Sequence, residues 1–225
     1  MTTLATLAFI GGTGKLGRGL GLRLAAAGHP VLIGSRSEER AVDAAATLRA
    51  QLGVAGCSVT RLEGRHNAAT LPQADVVFLS LPFAMMDAFL AEHGTRLDGK
   101  IVVDVMNPLR LTDGRFEVAP VLDGSAGMRA RRLVPAARVV SAFKNAAASH
   151  LLRLDRSVDG DILLAADDAD AKAVVADLVR AIPVLRPVDA GPLANGAFLE
   201  AITALELNLN RMHKRTTSIR ILGLE

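Results

Sequence analysis

The sequence predicts an α/β protein with a doubly wound, mostly parallel sheet and a smaller α/β part at its C-terminal end. Short apolar runs typical of buried strands alternate along the chain with segments whose apolar residues recur at helical spacing. This alternation indicates βαβ units, in which successive strands lie parallel. Half of the 225 residues are apolar and only 3% are aromatic. The apolar share comes from Ala, Leu and Val, which are typical of helices packed on a parallel sheet.

The order of the elements follows from these apolar runs and from the residues that end them. Gly28 and Pro30 end the first helix, and Ser37 is suited to cap the second. The segment from 107 to 135 is rich in Gly and Pro, and we expect a loop there. Strands are expected at residues 4–10, 31–34, 58–62, 75–81, 100–105, 138–142, 161–165, 184–188 and 218–222, and helices at 15–27, 37–52, 84–92, 169–181 and 193–213.

A glycine-rich turn joins the first strand to the first helix and has the spacing G-x-G-x-x-G. The first glycine of such a turn permits a tight bend, the second lets a pyrophosphate approach the backbone, and the third lets helix and strand pack closely. The N-terminus of the helix presents free N–H groups and a partial positive charge to the phosphates. The motif predicts a Rossmann-type dinucleotide site with the candidate cofactor-binding residues Gly12, Thr13, Gly14, Lys15, Leu16 and Gly17.

The end of the second strand indicates which dinucleotide binds. A site for NAD places Asp or Glu there to bond the ribose hydroxyls. This chain instead has Ser35 and Arg36, and Arg40 follows one helical turn later. Arginine pairs well with phosphate, and a serine hydroxyl can donate a hydrogen bond to it. The sequence therefore predicts NADP(H), with its 2′-phosphate on these three residues.

Three further strand ends meet at the same edge of the predicted sheet, where open α/β sheets bind their ligands. Asn107 is suited to hydrogen-bond the ribose or the carboxamide of the cofactor. The candidate cofactor-binding residues at these strand ends are Ser80, Leu81, Pro82, Asn107 and Ala142.

No constellation of acid, base or nucleophile accompanies this site. Lys144, close to the crevice, is the one candidate for a catalytic group, because reduction of a carbonyl or imine would need a proton donor. The five histidines are scattered and Cys57 is the only cysteine, so the sequence predicts no metal site and no disulfide framework. Hydride transfer between two cofactors needs positioning more than side-chain chemistry.

The element pattern restarts after Lys144. We expect an NADP-binding Rossmann domain at residues 1–145 and a smaller C-terminal domain at 146–225, which completes the acceptor site and supplies the contacts of an oligomer. The net charge of +3 and the absence of Trp and Tyr argue against nucleic-acid partners. The longest uncharged apolar stretch is too short to span a membrane, and no signal peptide is recognisable. We therefore expect a cytoplasmic protein.

Long parts of the sequence resemble the F420-dependent NADP oxidoreductases. The resemblance is carried by IGGTGKLGRGLGLRLAAAGHPVLIGSRSEERA from residue 10, ADVVFLSLPF from residue 74, KIVVDVMNPL from residue 100, RVVSAF from residue 138 and DAGPLANGAFLEAITALELNLNR from residue 189. It implies hydride exchange between NADPH and the deazaflavin coenzyme F420, and it implies a homodimer. It assigns Thr13, Ser35, Arg36 and Arg40 to NADP recognition. The chain departs from the family at Lys144, where a His near the deazaflavin is expected.

Two other functions remain open at this point. One is an NADPH-dependent reductase with another acceptor, such as a flavin, a pterin or a small imine or carbonyl. The other is a non-catalytic NADP(H)-binding sensor. If F420 binds, its deazaflavin is expected to lie against aliphatic side chains and backbone, since aromatic residues are few. Candidates for holding its anionic tail are Arg129, Arg131, Arg132, Lys214 and Arg215.

Overall fold

In the computed structural model, which describes residues 4–58 and 61–224, one large sheet is covered by helices on both faces. The strands are β1 (Leu7–Ile10), β2 (Val31–Ser35), β3 (Leu62–His66), β4 (Val76–Leu79), β5 (Ile101–Asp104), β6 (Leu109–Thr112), β7 (Arg115–Val118), β8 (Arg138–Ser141), β9 (Gly160–Ala166) and β10 (Leu185–Asp189). The helices are α1 (Lys15–Ala26), α2 (Glu38–Val54), α3 (Asn67–Thr70), α4 (Met86–His93), α5 (Ala126–Leu133), α6 (Ala148–Leu151), α7 (Ala169–Arg180) and α8 (Gly196–His213). None of the helices in these ranges is long and apolar enough to cross a membrane.

The order of the strands in the sheet is β10-β9-β8-β5-β4-β1-β2-β3, which places β1 between β2 and β4. Neighbouring strands pair in parallel, except that β9 is antiparallel to β8. The chain moves outward from β1 through β2 to β3, and then crosses back to β4 on the other side. The winding therefore reverses between β1 and β4. The predicted Rossmann-type, doubly wound and mostly parallel sheet is confirmed.

Each face of the sheet has its own apolar core, because successive residues of a strand point to opposite faces. In β1, Leu7 and Phe9 belong to the core that includes buried residues of α1, α2 and α7. Ala8 and Ile10 belong to the core that includes buried residues of α4 and α5. The ring of Phe9 stacks on that of Phe78 with the centroids 4.5 Å apart. The strands are thus fixed from both sides, and their carboxyl ends are firm positions for a site.

The strands that follow residue 145 continue the same sheet. β9 pairs with β8 through Val140 opposite Ala166 and Ser141 opposite Ala165, and β10 pairs with β9. The division into domains at 1–145 and 146–225 stays a prediction.

The third strand lies further along the chain than predicted. It spans Leu62–His66 rather than residues 58–62. Ser58 lies outside any strand, and residues 59 and 60 lie outside the described residues. Because β3 is at the edge of the sheet, it accommodates partly exposed polar residues such as Glu63 and Arg65 and lacks a clear apolar pattern.

The predicted loop between 107 and 135 contains a hairpin and a helix. β6 and β7 pair antiparallel across a turn at Asp113 and Gly114, whose φ angles are 50° and 78°. Asp-Gly is typical of a two-residue hairpin turn, because both positions need positive φ. Helix α5 begins after Ser125, whose Oγ accepts a hydrogen bond from the N–H of Met128 at 3.2 Å. Both signals were present in the sequence.

The segment 218–222, predicted as a strand, is irregular. Arg186 donates hydrogen bonds to the carbonyl oxygens of Ile221, at 2.5 Å, and Leu224. The N–H of Ile221 donates to Asp161 Oδ2 at 2.6 Å, and the N–H of Asp161 donates to the carbonyl of Ile219 at 2.9 Å. Side chains of β9 and β10 therefore hold this tail in place of a full strand ladder.

Substitution of Gly64 tests how closely α2 packs on β3. A Cβ added there would overlap the backbone C and O of Ala41, whereas one added at Gly53 would meet no atom within 4 Å. Gly64→Ala is expected to lower the free energy of unfolding by about 3 kcal/mol, a high cost for overpacking. Gly53→Ala, inside α2, is expected to raise it by about 0.5–1 kcal/mol. Urea unfolding followed by circular dichroism measures both, and equal stabilities would contradict this packing.

Candidate cofactor site

A cleft of about 1010 Å³ lies at the carboxyl ends of β1, β2, β4 and β5. This edge, next to the reversal of winding between β1 and β4, is where open α/β sheets bind ligands. Of the predicted cofactor-binding residues, Thr13, Gly14, Leu16, Ser35, Arg36, Arg40, Ser80, Leu81, Pro82 and Asn107 line it. The rest of the lining is Gly11, Ser37, His66, Asn67, Phe83, Met85, Ala88, Phe89, Glu92, His93, Val105 and Met106.

The glycine turn brings α1 very close to β1 and to the end of β4. A Cβ on Gly17 would lie 2.7 Å from Gly12 Cα and 2.8 Å from Ser80 Oγ. Gly11 has a φ of 71°, and a Cβ there would lie 2.8 Å from Leu81 Cα. Gly12 and Gly17 therefore act behind the cleft wall rather than in it. Lys15 is exposed and lies outside the lining.

The N-terminus of α1 opens onto the cleft. Its capping residue, Gly14, has no side chain to accept from the first turn, and its carbonyl accepts the first helical bond from the N–H of Arg18 at 2.9 Å. The N–H groups of a first helical turn have no partner within the helix. Together with the positive end of the helix dipole they form a site for an anionic group.

The end of β2 carries two cationic side chains at the mouth of the cleft. Arg36 and Arg40 are exposed, and within residues 4–58 and 61–224 neither guanidinium has a hydrogen bond or an ion pair. Ser35 is buried and its Oγ accepts from the N–H of Ser37 at 3.2 Å. Ser37 caps α2 by accepting from the N–H of Arg40 at 3.3 Å. The arrangement leaves two cations available to a phosphate group.

The ends of β4 and β5 form the opposite part of the cleft. Ser80 Oγ donates to the carbonyl of Ile10 at 2.9 Å and so joins β4 to β1. Asn107 Nδ2 donates to the carbonyl of Lys144 at 2.9 Å. Asn107 Oδ1 is buried and has no partner among the described residues. Ala142 is fully buried and lies outside the cleft lining.

Several lining residues were missed by sequence reasoning. Asn67 accepts from the N–H of Gly11 at 3.1 Å through Oδ1 and so braces the glycine turn from 56 residues away. Phe89 and His93 meet edge to face with ring centroids 4.9 Å apart. Phe83 and Phe89 line the cleft beside its aliphatic side chains; the expected surroundings of a deazaflavin stay a prediction. The contact of Asn67 with Gly11 and the position of α4 beside the cleft come from the fold, and no local motif indicates them.

The Lys144 ammonium lies outside this lining, in a buried polar cluster. Its side chain is fully buried and lies 2.8 Å from Asp104 Oδ2 and 3.1 Å from Glu200 Oε1. Burial raises the pKa of Glu200, and the charge of Lys144 offsets part of that rise. This placement counts against the predicted role of Lys144 as a proton donor in the crevice. Among the described residues, no three His, Cys, Asp or Glu side chains are grouped to hold a metal.

Comparison with known proteins places this site in a family. The family model described as NADP oxidoreductase, coenzyme F420-dependent, matches residues 6–108. The F420-dependent NADP reductase of Methanothermobacter thermautotrophicus is 39% identical over 223 residues, which are 97% of this chain and 95% of that protein. This chain belongs to the F420-dependent NADP oxidoreductase family. The F420-dependent NADP reductase of Methanocaldococcus jannaschii is 38% identical over 224 residues, or 97% and 99% of the two chains.

A solved structure supports the same assignment of fold. A candidate F420-dependent NADP reductase from an Arthrobacter species superposes with a TM-score of 0.80 and 25% identity. The match covers 98% of this chain and 99% of that one. The family fold therefore extends over the part after residue 145 as well as over the glycine turn.

Three of the basic residues predicted for the tail of F420 are engaged elsewhere. Arg129 pairs with Asp87 and with Asp123, the latter at 3.0 Å. Arg132 pairs with Asp123 at 2.7 Å, and Arg131 pairs with Asp167. Lys214 and Arg215, also predicted, are exposed just after α8. An anionic tail at the arginines would have to compete with these carboxylates.

Glu206 in α8 is a buried carboxyl group outside the cleft. It is 5% exposed, and its Oε1 has no partner among the described residues. Burial raises the pKa of Glu206 to about 7. The folded protein therefore holds this proton at pH values where the unfolded chain, with an ordinary glutamate pKa, has released it.

This proton makes the stability of the wild-type protein fall as the pH rises from about 4.5 to above 7. The fall due to Glu206 is expected to reach about 3 kcal/mol, since each pKa unit corresponds to about 1.4 kcal/mol. Glu206→Gln is expected to lack this fall and to be the more stable protein at pH 8. Urea unfolding at a series of pH values measures the difference, with Glu38→Gln, an exposed glutamate, as the control. Parallel pH profiles for wild type and Glu206→Gln would contradict the buried position.

Proposed function

We propose that this protein transfers a hydride between NADPH and coenzyme F420. The NADP(H) half is supported by one observation above all: the N-terminus of α1 and the guanidinium groups of Arg36 and Arg40 face the same cleft. The F420 half is supported by relatives of nearly the same length that are named F420-dependent NADP reductases.

In this proposal the pyrophosphate lies at the N-terminus of α1 and the 2′-phosphate lies between Arg36, Arg40 and Ser35. β1 lies between β2 and β4, so the nicotinamide half extends past β4 toward β5. Residues 80–82 and 105–107 line the cleft there. The cofactors supply the redox chemistry, in which the deazaflavin takes the hydride of the dihydronicotinamide together with a proton. The chain binds and aligns the two rings and excludes water from them.

Turnover tests the reaction directly. Mixing the protein with NADPH and F420 is expected to bleach the deazaflavin absorbance in proportion to the NADPH consumed. Binding of NADPH without reduction of F420 would contradict the proposed acceptor. A screen of flavins, pterins, imines and carbonyls would then show whether another acceptor is reduced, and no turnover with any of them would leave an NADP(H)-binding protein without catalysis.

Arg36→Ala tests the assigned specificity for the 2′-phosphate. Losing a charge-assisted hydrogen bond is expected to weaken NADPH binding by about 1.5–3 kcal/mol and to leave the weaker binding of NADH nearly unchanged. The change in dihydronicotinamide fluorescence on binding, followed separately for NADPH and for NADH, measures the two affinities. Arg180→Ala is the control, because Arg180 is exposed on α7 and pairs with Asp177 at 2.7 Å. An equal loss for NADPH and NADH would refute the role of Arg36.

The proposal includes a homodimer formed through the C-terminal part. Phe198, Leu205 and Met212 of α8 are 67%, 58% and 71% exposed. They are spaced seven residues apart, so they form one apolar stripe along the helix, the pattern of helix–helix contacts.

The acceptor site is likewise proposed to include residues after 145. A cytoplasmic location stays a proposal; the free thiol of Cys57 is in keeping with a reducing compartment, and cell fractionation tests it.

Charge on this stripe is expected to break the dimer. Leu205→Lys combined with Met212→Lys should shift the mass measured by light scattering from two chains to one, because each lysine would be desolvated at the contact. Val54→Lys is the control, since Val54 is 92% exposed on α2, away from the stripe. A monomeric wild type, or a double variant with unchanged mass, would contradict a dimer through α8.

A further inference from the structure

The wall of the cleft beyond β5 consists of Val105, Met106 and Asn107. If the proposed function holds, this wall faces the nicotinamide half of the cofactor, because Arg36 holds the other half beyond β1. The position of the wall then sets how the nicotinamide is placed for hydride transfer. Displacing a reacting group by about 1 Å can slow a reaction about 100-fold.

Lys144 lies directly behind this wall. The chain leaves β8 through Phe143, which is fully buried and has a φ of 55°. This left-handed conformation is unfavourable for a bulky residue and persists only where the surroundings fix it. After this bend the Lys144 side chain runs into the interior, where none of it is exposed.

The ammonium group of Lys144 has three donors, and the structure provides three acceptors. Two are carboxylates, Asp104 Oδ2 at 2.8 Å and Glu200 Oε1 at 3.1 Å. The third is the carbonyl oxygen of Met106, in the cleft wall itself. The side chains of Asp104 and Glu200 are also fully buried. The carboxylates are held in turn, since Ser141 Oγ donates to Asp104 Oδ2 at 2.9 Å and the N–H of Ala126 donates to Glu200 Oε1 at 2.9 Å.

The same cluster holds the wall at two further atoms. The N–H of Met106 donates to Asp104 Oδ1 at 3.0 Å. Asn107 Nδ2 donates to the carbonyl of Lys144 at 2.9 Å. Both polar backbone groups of Met106 and the amide of Asn107 are therefore fixed by Asp104 and Lys144.

Stability alone is a weak reason for such a cluster. Burying charged groups is costly, and exchanging a buried ion pair for apolar residues of similar volume often leaves a protein as stable or more stable. Buried charges do, in some proteins, select one arrangement of the chain over others. The contacts of this cluster end on the cleft wall, so the arrangement it selects is that of the wall.

We infer that Lys144 is a positioning residue, which with Asp104 and Glu200 holds the Met106–Asn107 wall so that the nicotinamide is aligned for hydride transfer. The inference rests on the proposed function. Lys144 itself touches neither the cleft nor, in this account, the cofactors.

The test variant removes the charges together. Lys144→Met alone would leave two buried carboxylates without a cation beside them, so Asp104→Asn and Glu200→Gln are combined with it. Asn107→Ala is a second variant, which removes the contact with the Lys144 carbonyl without changing any charge and is expected to fold. Because Asn107 also lines the cleft, the triple variant, which keeps Asn107, decides the role of Lys144. Lys100→Met is the matched control, because Lys100 precedes the other end of β5 and its Nζ donates to a backbone carbonyl, that of Ala74, at 2.6 Å.

Two readouts separate positioning from a merely structural role. For the triple variant we expect kcat with F420 to fall about 100-fold, while the Kd for NADPH changes by less than about threefold because the phosphate contacts remain. For Asn107→Ala we expect a fall of about tenfold in kcat. The fluorescence lifetime of bound NADPH, which reports how firmly the dihydronicotinamide is held and needs no F420, should shorten in both variants. Lys100→Met should change neither kcat nor lifetime.

Unchanged kcat and lifetime in Asn107→Ala, or in a folded triple variant, would overturn the inference. A loss confined to the affinity for NADPH would do the same. Failure of the proposed function is recognised separately. If the wild-type protein binds NADPH but does not reduce F420, the acceptor is wrong, and the lifetime measurement still decides whether Lys144 positions the wall.

Discussion

The close contact between α1 and the strands beneath it is the constraint on which the site depends. A Cβ on Gly17 would lie 2.7 Å from Gly12 Cα and 2.8 Å from Ser80 Oγ, so there is no space for a side chain at position 17. Because α1 packs this closely on β1 and the end of β4, its N-terminus points into the cleft at the place where the winding of the sheet reverses. The free N–H groups of the first turn, the two arginines after β2 and the end of β4 then surround one space. If the glycine turn held α1 farther from the strands, the same residues would no longer surround one ligand.

Buried charge is concentrated where the C-terminal part of the chain joins the sheet. Both faces of β1 and β4 are covered by large apolar clusters, whereas the ends of β5 and β8 meet α8 through Asp104, Ser141 and Glu200. A further buried carboxylate, Asp161, pairs with Arg186 at 2.8 Å and binds the tail after α8. Apolar packing thus builds the sheet, and ion pairs and hydrogen bonds fix how the last third of the chain is placed against it. A cleft that must align two large rings needs such fixed placement more than it needs additional stability.

The features that sequence reasoning found are those with a local cause. The glycine turn, the cap at Ser37 and the arginines after β2 depend on neighbours within a few residues, and the structure brings them to one cleft. Asn67 was missed because its role arises from a contact with Gly11, 56 residues away in sequence. Phe89 was missed because only the fold places its helix, α4, beside the cleft. Lys144 shows the same limit, because the direction of its side chain depends on the bend at Phe143 and on acceptors at the end of β5, just after β5 and in α8. The hairpin at Asp113 and Gly114 was a different kind of omission, since its turn signal is local.

In the proposed reaction a hydride passes directly from NADPH held in this cleft to F420. NADPH carrying deuterium at either face of C4 tests this in ordinary water. We expect one of the two labelled forms to deliver its deuterium to the reduced deazaflavin, detected by mass spectrometry, and the other to retain it in NADP⁺. Reduced F420 without deuterium from either form would show that the hydride does not move directly between the two rings, and would contradict the proposed reaction.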